Sequence, residues 1–211
     1  MSCSRAAATL VLLVARPAAA AYVTSRAIWP SVLPRSNVLH LAAPDVIITE
    51  AGAADLEGVL DLTMLTFFGE LGSDAGFNNN RATAFQELKD EQSNSLRDIF
   101  ADSSAVSFKA VLDDKVVGFV TCSGSGVLTN LAVHPKARRR SLGTRLVQRL
   151  LTSRDTVVTL EVDWDNEAAF KLYKACGFAT VVEDKSGTRY KVDWWRGRVR
   201  EEVFKIVMTT Q

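Results

Sequence analysis

The chain has 211 residues, of which 47% are hydrophobic and 23% charged, proportions of a globular protein with one sizeable core and not of a disordered or fibrous chain. Its net charge is +1, yet residues 1–44 carry Arg5, Arg16, Arg26 and Arg35 and no acid, so removing those four charges leaves −3 for residues 45–211. A body of that sign does not suggest a polyanion as partner, and nucleic acid is set aside.

Residues 6–22 are small and apolar but interrupted by Arg16 and Pro17, a poor membrane span and a fair signal or transit segment. Residues 1–44 are therefore expected to be a targeting presequence, disordered or removed. Import into an organelle, a plastid first and a mitochondrion as the alternative, is favoured over secretion. The mature chain is expected to hold one domain, residues 45–211, with no transmembrane segment. Three cysteines, Cys3, Cys122 and Cys176, do not make a secreted disulfide scaffold. Cys176 has no evident histidine partner and reads as packing. His40 and His134 are the two histidines, and no Cys/His spacing suits a metal.

From Asp45 the composition becomes regular. Alternation in DVIITEA predicts a strand, and residues 53–70 predict a helix with Leu56, Val59, Leu60, Leu62, Leu65 and Phe68 on one face. Residues 71–80, rich in Gly and Asn, predict a loop, and residues 82–100 a second helix with Phe85, Leu88, Leu96 and Ile99 inward. Two β-rich runs around Asp113-Asp114 predict a hairpin, and GVLTNLAVH a further strand. Residues 139–151 have the period of a helix with one buried face. TVVTLEV, apolar or β-branched on both faces, predicts a central strand. Asp165-Asn166 would cap a helix reaching Ala175, Gly177 would stop it, and strands are expected at 178–182 and 199–208. Trp194-Trp195-Arg196-Gly197-Arg198 lies between those last two strands, as part of an acceptor groove, an oligomer contact or a partly buried edge.

The most informative stretch is residues 127–146. An apolar run ends at His134-Pro135, where proline cannot donate to a ladder, and a basic loop leads into an amphipathic segment. Backbone N–H groups at a helix start, together with the helix dipole, favour an anion, so residues 138–144 could cradle a phosphate or pyrophosphate. Ser141 and Gly143 are small enough to let it approach.

NLAVHPKARRRSLGTRL resembles the acyl-CoA-binding motif of the GNAT superfamily of N-acetyltransferases, Arg/Gln-x-x-Gly-x-Gly/Ala, which falls here on Arg138-Arg139-Arg140-Ser141-Leu142-Gly143. Ser141 stands where the family most often has glycine; serine costs energy there if the position needs positive φ and fits if it needs only smallness. A second block, TLEVDWDNEAAFKLYKACGF, resembles the family's second half at Asn166, Ala169, Leu172, Tyr173, Gly177 and Phe178. Two blocks in order carry far more weight than one loop.

The resemblance implies an α/β fold, a mixed and mainly antiparallel sheet of six or seven strands with helices on both sides. It implies acetyl-CoA as co-substrate, no metal, and direct transfer to an amine in a ternary complex. Arg138, Arg139, Arg140, Ser141, Leu142, Gly143 and Thr144 would hold the pyrophosphate. Leu131, Ala132 and Val133 would pair with the pantetheine arm through their backbone, and Asn166 would contact that arm. Tyr173 would be the acid that protonates the leaving thiolate. Glu161, on a strand resembling that of ribosomal-protein alanine acetyltransferases, is the candidate base; its plainer reading is a strand carboxylate paired with an arginine or simply solvated. Organellar and ribosomal-protein members suggest protein α-amines or lysine ε-amines as acceptors, with arylalkylamines or polyamines as the small-molecule alternative. A non-catalytic acyl-CoA-binding module is the reading outside enzymes. The oligomeric state is not legible.

Overall fold

The computed structural model describes residues 46–72, 79–193 and 197–210. The expected presequence, most of the loop at 71–80 and Trp194-Trp195-Arg196 lie outside them. Strand β1 (Ile47–Glu50) opens an antiparallel sheet of order β1-β2-β3-β4. Strands β2 (Val106–Leu112) and β3 (Lys115–Cys122) form the expected hairpin. Asp113 (φ 49°) and Asp114 (φ 60°) both take left-handed backbone, as a two-residue turn matched to strand twist requires. Lys115 belongs to the strand, opposite Leu112. Strand β4 (Leu128–Val133) pairs with β3 through a bulge: Thr121 faces Asn130 and Cys122 faces Leu128, so Thr129 is the extra residue.

Strands β5 (Thr159–Asp163), β6 (Phe178–Asp193) and β7 (Gly197–Thr210) make a second antiparallel sheet of order β5-β7-β6. Strand β6 runs well past the expected 178–182, β7 exceeds the expected 199–208 by two residues at each end, and the pair continues as a two-stranded ribbon to Asp193 and Gly197. Their mixed polar sequence hides the extension, because a ribbon with no apolar face shows no period-2 pattern. The two sheets meet at a parallel bridge between Val127 and Thr159, where the Thr159 N–H donates to the Gly126 carbonyl at 2.8 Å. Gly126 has φ 83°, and a Cβ there would lie 2.7 Å from the Val157 carbonyl oxygen, so only glycine fits the junction.

Helices α1 (Leu56–Gly72) and α2 (Asn79–Ala101) cover one side; α3 (Leu142–Thr152) and α4 (Glu167–Ala175) cover the other. Alternation along β3 and β4 separates two cores. Phe119 and Ala132 pack with Val59, Leu62, Phe67, Leu88 and Leu96. Val120 and Leu131 pack with Leu146, Val147, Leu150, Leu160 and Tyr173. Leu146, Val147 and Leu150 are wholly buried, each contributing roughly 1.5–3 kcal/mol. On α1 Val59, Leu60 and Leu62 of the expected face are in the core and Leu56 and Phe68 pack against it, while Leu65 is exposed and Thr63, Met64 and Phe67 are buried as well. That helix is apolar on most sides, so its sequence leaves the edges of the buried face open. Helix α3 starts at Leu142 and not Arg139, because Arg139 (φ 63°) and Ser141 (φ 56°) take left-handed backbone that a helix cannot continue through.

Candidate active site

Beyond the bridge, β4 and β5 separate. Along β4, the His134 N–H donates to the Val117 carbonyl at 2.9 Å. By the two-residue alternation of an antiparallel ladder, Ala132 opposite Phe119 and Asn130 opposite Thr121 also turn their backbone groups to β3. The backbone groups of Leu131 and Val133 therefore face the margin that β5 has left. This corrects the expectation for Ala132, whose polar groups belong to the ladder and whose methyl is buried under α1 and α2. On the opposite margin, Thr159 donates toward Gly126 and Trp164 donates to Phe204 of β7 at 3.1 Å. The same alternation turns the backbone of Glu161 into the gap.

The basic loop closes one end of this gap. His134 is a turn residue, its Nδ1 accepting the Lys136 N–H at 3.1 Å. Arg138 folds back so that its Nε donates to the Val133 carbonyl at 3.1 Å, while Arg139, Arg140 and Ser141 are exposed. The Arg145 N–H is the first to find a helical carbonyl, that of Ser141, so the N–H groups of Leu142, Gly143 and Thr144 point out of the helix end. The Leu142 side chain is buried in the core. Gly143 is buried against α4, where a Cβ would lie 2.8 Å from Leu172 Cδ1; its smallness serves helix packing. Thr144 is half-buried.

Helix α4 begins beside the same gap, after β5. Asn166 is 5% exposed and caps the helix, its Oδ1 accepting the Ala169 N–H at 3.1 Å. Its Nδ2 is buried without a partner among the described residues. Tyr173, one helix length on, is buried edge-on against Phe178 with ring centroids 5.6 Å apart. Burial, and next the neighbouring Cys176, push its phenol pKa up, so it stays protonated across the physiological range and keeps a proton to donate. Burial likewise raises the Cys176 thiol, which suits packing and not a nucleophile.

Glu161 lies on the opposite face of β5 from Leu160 and Val162, which join the core around Tyr173. Burial raises its pKa, but a hydrogen bond and ion pair from Lys185 and a contact of 3.5 Å from Lys205 outweigh that and hold the carboxyl below its ordinary value. Glu161 is thus both a margin residue and a paired carboxylate. Sequence reasoning missed its partners and the neighbouring Asp163, which is 3% exposed and held 3.5 Å from Arg189. Burial raises the Asp163 pKa more than Lys205 and Arg189 lower it. Lys205, 4% exposed within the apolar run VFKIVM, was the readable signal, because a lysine there needs an acid beside it.

Residues 74–178 match the family model described as Acetyltransferase (GNAT) family. Over 80 residues the chain is 36% identical to the [ribosomal protein bS18]-alanine N-acetyltransferase of Salmonella typhimurium, a match covering 35% of this chain and about half, 54%, of that protein. Its fold is similar to the PaiA N-acetyltransferase of Thermoplasma acidophilum in complex with coenzyme A, with TM-score 0.56 and 16% identity over 79% of this chain and 99% of that one. The ribosomal-protein-S18-alanine N-acetyltransferase of Escherichia coli gives TM-score 0.51 and 18% identity over 79% and 93%. A putative acetyltransferase of Salmonella typhimurium, yncA, solved with acetyl-CoA, gives 0.54 and 16% over 79% and 94%.

Proposed function

The chain carries a domain of the acetyltransferase (GNAT) family, and from that premise we propose that it transfers the acetyl group of acetyl-CoA to the α-amine of a protein or peptide N-terminus. The observation that carries this reading is the gap between β4 and β5, closed at one end by the basic start of α3 and bordered by Glu161, with Asn166 at the start of α4 beside it. The residues present fit the co-substrate. Outward N–H groups at Leu142, Gly143 and Thr144 beside Arg138, Arg139 and Arg140 suit a pyrophosphate. The unladdered backbone of Leu131 and Val133 and the unpartnered Asn166 Nδ2 suit the amides of a pantetheine arm.

Acetyl-CoA supplies the activated thioester carbonyl. The backbone N–H groups on the β4 margin orient and polarise it. Glu161, ionised at neutral pH, accepts the proton that the attacking amine gives up, and Tyr173 donates one to the departing thiolate. Attack is direct, with no acyl-enzyme.

The low pKa of Glu161 makes it a weak base and favours one acceptor over another. A lysine ammonium, near 10.4, must be deprotonated by the enzyme, whereas an α-amine, near 8, is partly neutral already. The Salmonella relative acts on an alanine of a ribosomal protein, in agreement with that preference. For residues 1–44 the reading remains import into a plastid, tested by fusing them to a fluorescent protein.

Mass spectrometry of a mixed peptide library incubated with acetyl-CoA and the full chain tests the transfer reading. Acetylation of N-termini in preference to lysines is expected. Acetylation of small amines alone would move the acceptor class, and coenzyme binding without transfer to any amine would make the domain a binding module.

A further inference from the structure

Asn130 is 2% exposed, and neither its Oδ1 nor its Nδ2 has a hydrogen-bond partner among the described residues. A carboxamide enclosed in this way is rare, since buried polar groups are almost always paired. Its neighbours do not serve it: the Thr121 hydroxyl opposite is engaged with Ser107 at 2.7 Å. Position gives the orphan a use. Asn130 lies two residues before Ala132 on β4, so its side chain points to the α1 and α2 side, as Ala132 does. Glu161 also faces away from the α3 and α4 core.

Counting from the bridge at Val127 and Thr159, Glu161 is two residues along β5; two residues along β4, plus the bulged Thr129, is Asn130. The two side chains therefore stand at matching heights on facing margins of the gap, on the side away from Tyr173. A groove lined by Asn94, Ser95, Asp98 and Ile99 of α2 and by Ser123 and Thr129 touches β4 at the residue before Asn130. The Thr129 hydroxyl is likewise without a partner.

We infer that Asn130 is an acceptor-binding residue: its Oδ1 accepts a hydrogen bond from the attacking amine and its Nδ2 donates to the carbonyl of the acceptor's first residue. This assignment rests on the proposed transfer reaction and adds the residue that aligns the amine.

The test is steady-state kinetics of the full chain and of Asn130→Ala and Asn130→Val, the second chosen because a β-branched residue suits a strand, with acetyl-CoA and the best peptide from the library. Both variants, which lose both hydrogen bonds to the acceptor, should raise the peptide KM by about tenfold or more, leave the acetyl-CoA KM unchanged, and melt no lower than the parent. Equal weakening toward both substrates would assign Asn130 to the coenzyme and overturn the inference. An unchanged peptide KM would mean that an enclosed water satisfies the carboxamide, and would overturn it also. Absence of turnover in the parent on every amine is a distinct outcome that removes the transfer reading and this inference with it.

Discussion

Ser141 shows how one dihedral decides what a residue type costs. At φ 56° it occupies the left-handed region without any side-chain hydrogen bond to offset the strain, and an L side chain there costs roughly 1–2 kcal/mol. Ser141→Gly removes that cost and gives back roughly 0.4–1 kcal/mol through a freer unfolded chain. The net expectation is a gain of about 0.5–1 kcal/mol, read as a higher melting temperature and, because the loop is then relaxed around its anion, a coenzyme Kd lower by about two- to fivefold. Loss of coenzyme affinity in that variant would show that serine's hydroxyl is itself a ligand. Tyr173 is the second decisive residue. Its buried, persistently protonated phenol should make Tyr173→Phe lower kcat by about 100-fold, the lower range for a positioned acid, with both KM values unchanged. A binding module would have no rate to lose.

Among elements, the second sheet carries the pH dependence. Glu161 on β5 is clamped by Lys205 on β7 and Lys185 on β6, so three strands share one carboxylate. Its pKa is held below the ordinary glutamate value of about 4.3, so the stabilisation is present above that value and is lost as pH falls through the lower folded value. Glu161→Gln should therefore lower the melting temperature at neutral pH, by an amount equivalent to about 1 kcal/mol given that Lys185 is half exposed. Its melting curve should then change less than the parent's as the pH is taken below about 4.5. Parallel curves for the two proteins would mean that the clamp contributes nothing. Elements also show where pattern reading stops. The hairpin at Asp113-Asp114, the helix ended by Gly177 at φ 93° and the cap at Asn166 were all legible, because each depends on a residue or two with a strong local preference. The exposure of Leu65 on α1 and the extension of β6 were not, since neither element has a pattern that selects one face there.

At the scale of the whole molecule, the site exists because two sheets share one bridge and then part. Sheet one places Leu131, Val133 and Asn130 on one margin; sheet two places Glu161 on the other; α3 and α4 each start beside the gap. Linear order alone determined much of this. The apolar run ending at His134-Pro135, the helix periods and the cap at Asn166 placed the elements, since hydrophobic period and capping chemistry act over only a few positions, while the resemblance of the basic loop and of the Asn166 to Phe178 block implied the fold class and most of the candidate residues. Only the tertiary structure decided that Ala132 turns its backbone away from the gap, that Gly143 is small for the sake of Leu172, that Ser141 is left-handed, and that Asn130 is enclosed without a partner. The physical reason is common to all four: ladder register, helix contact, loop dihedral and burial are set by segments distant in sequence, and no single strand or helix carries that information in its own residues.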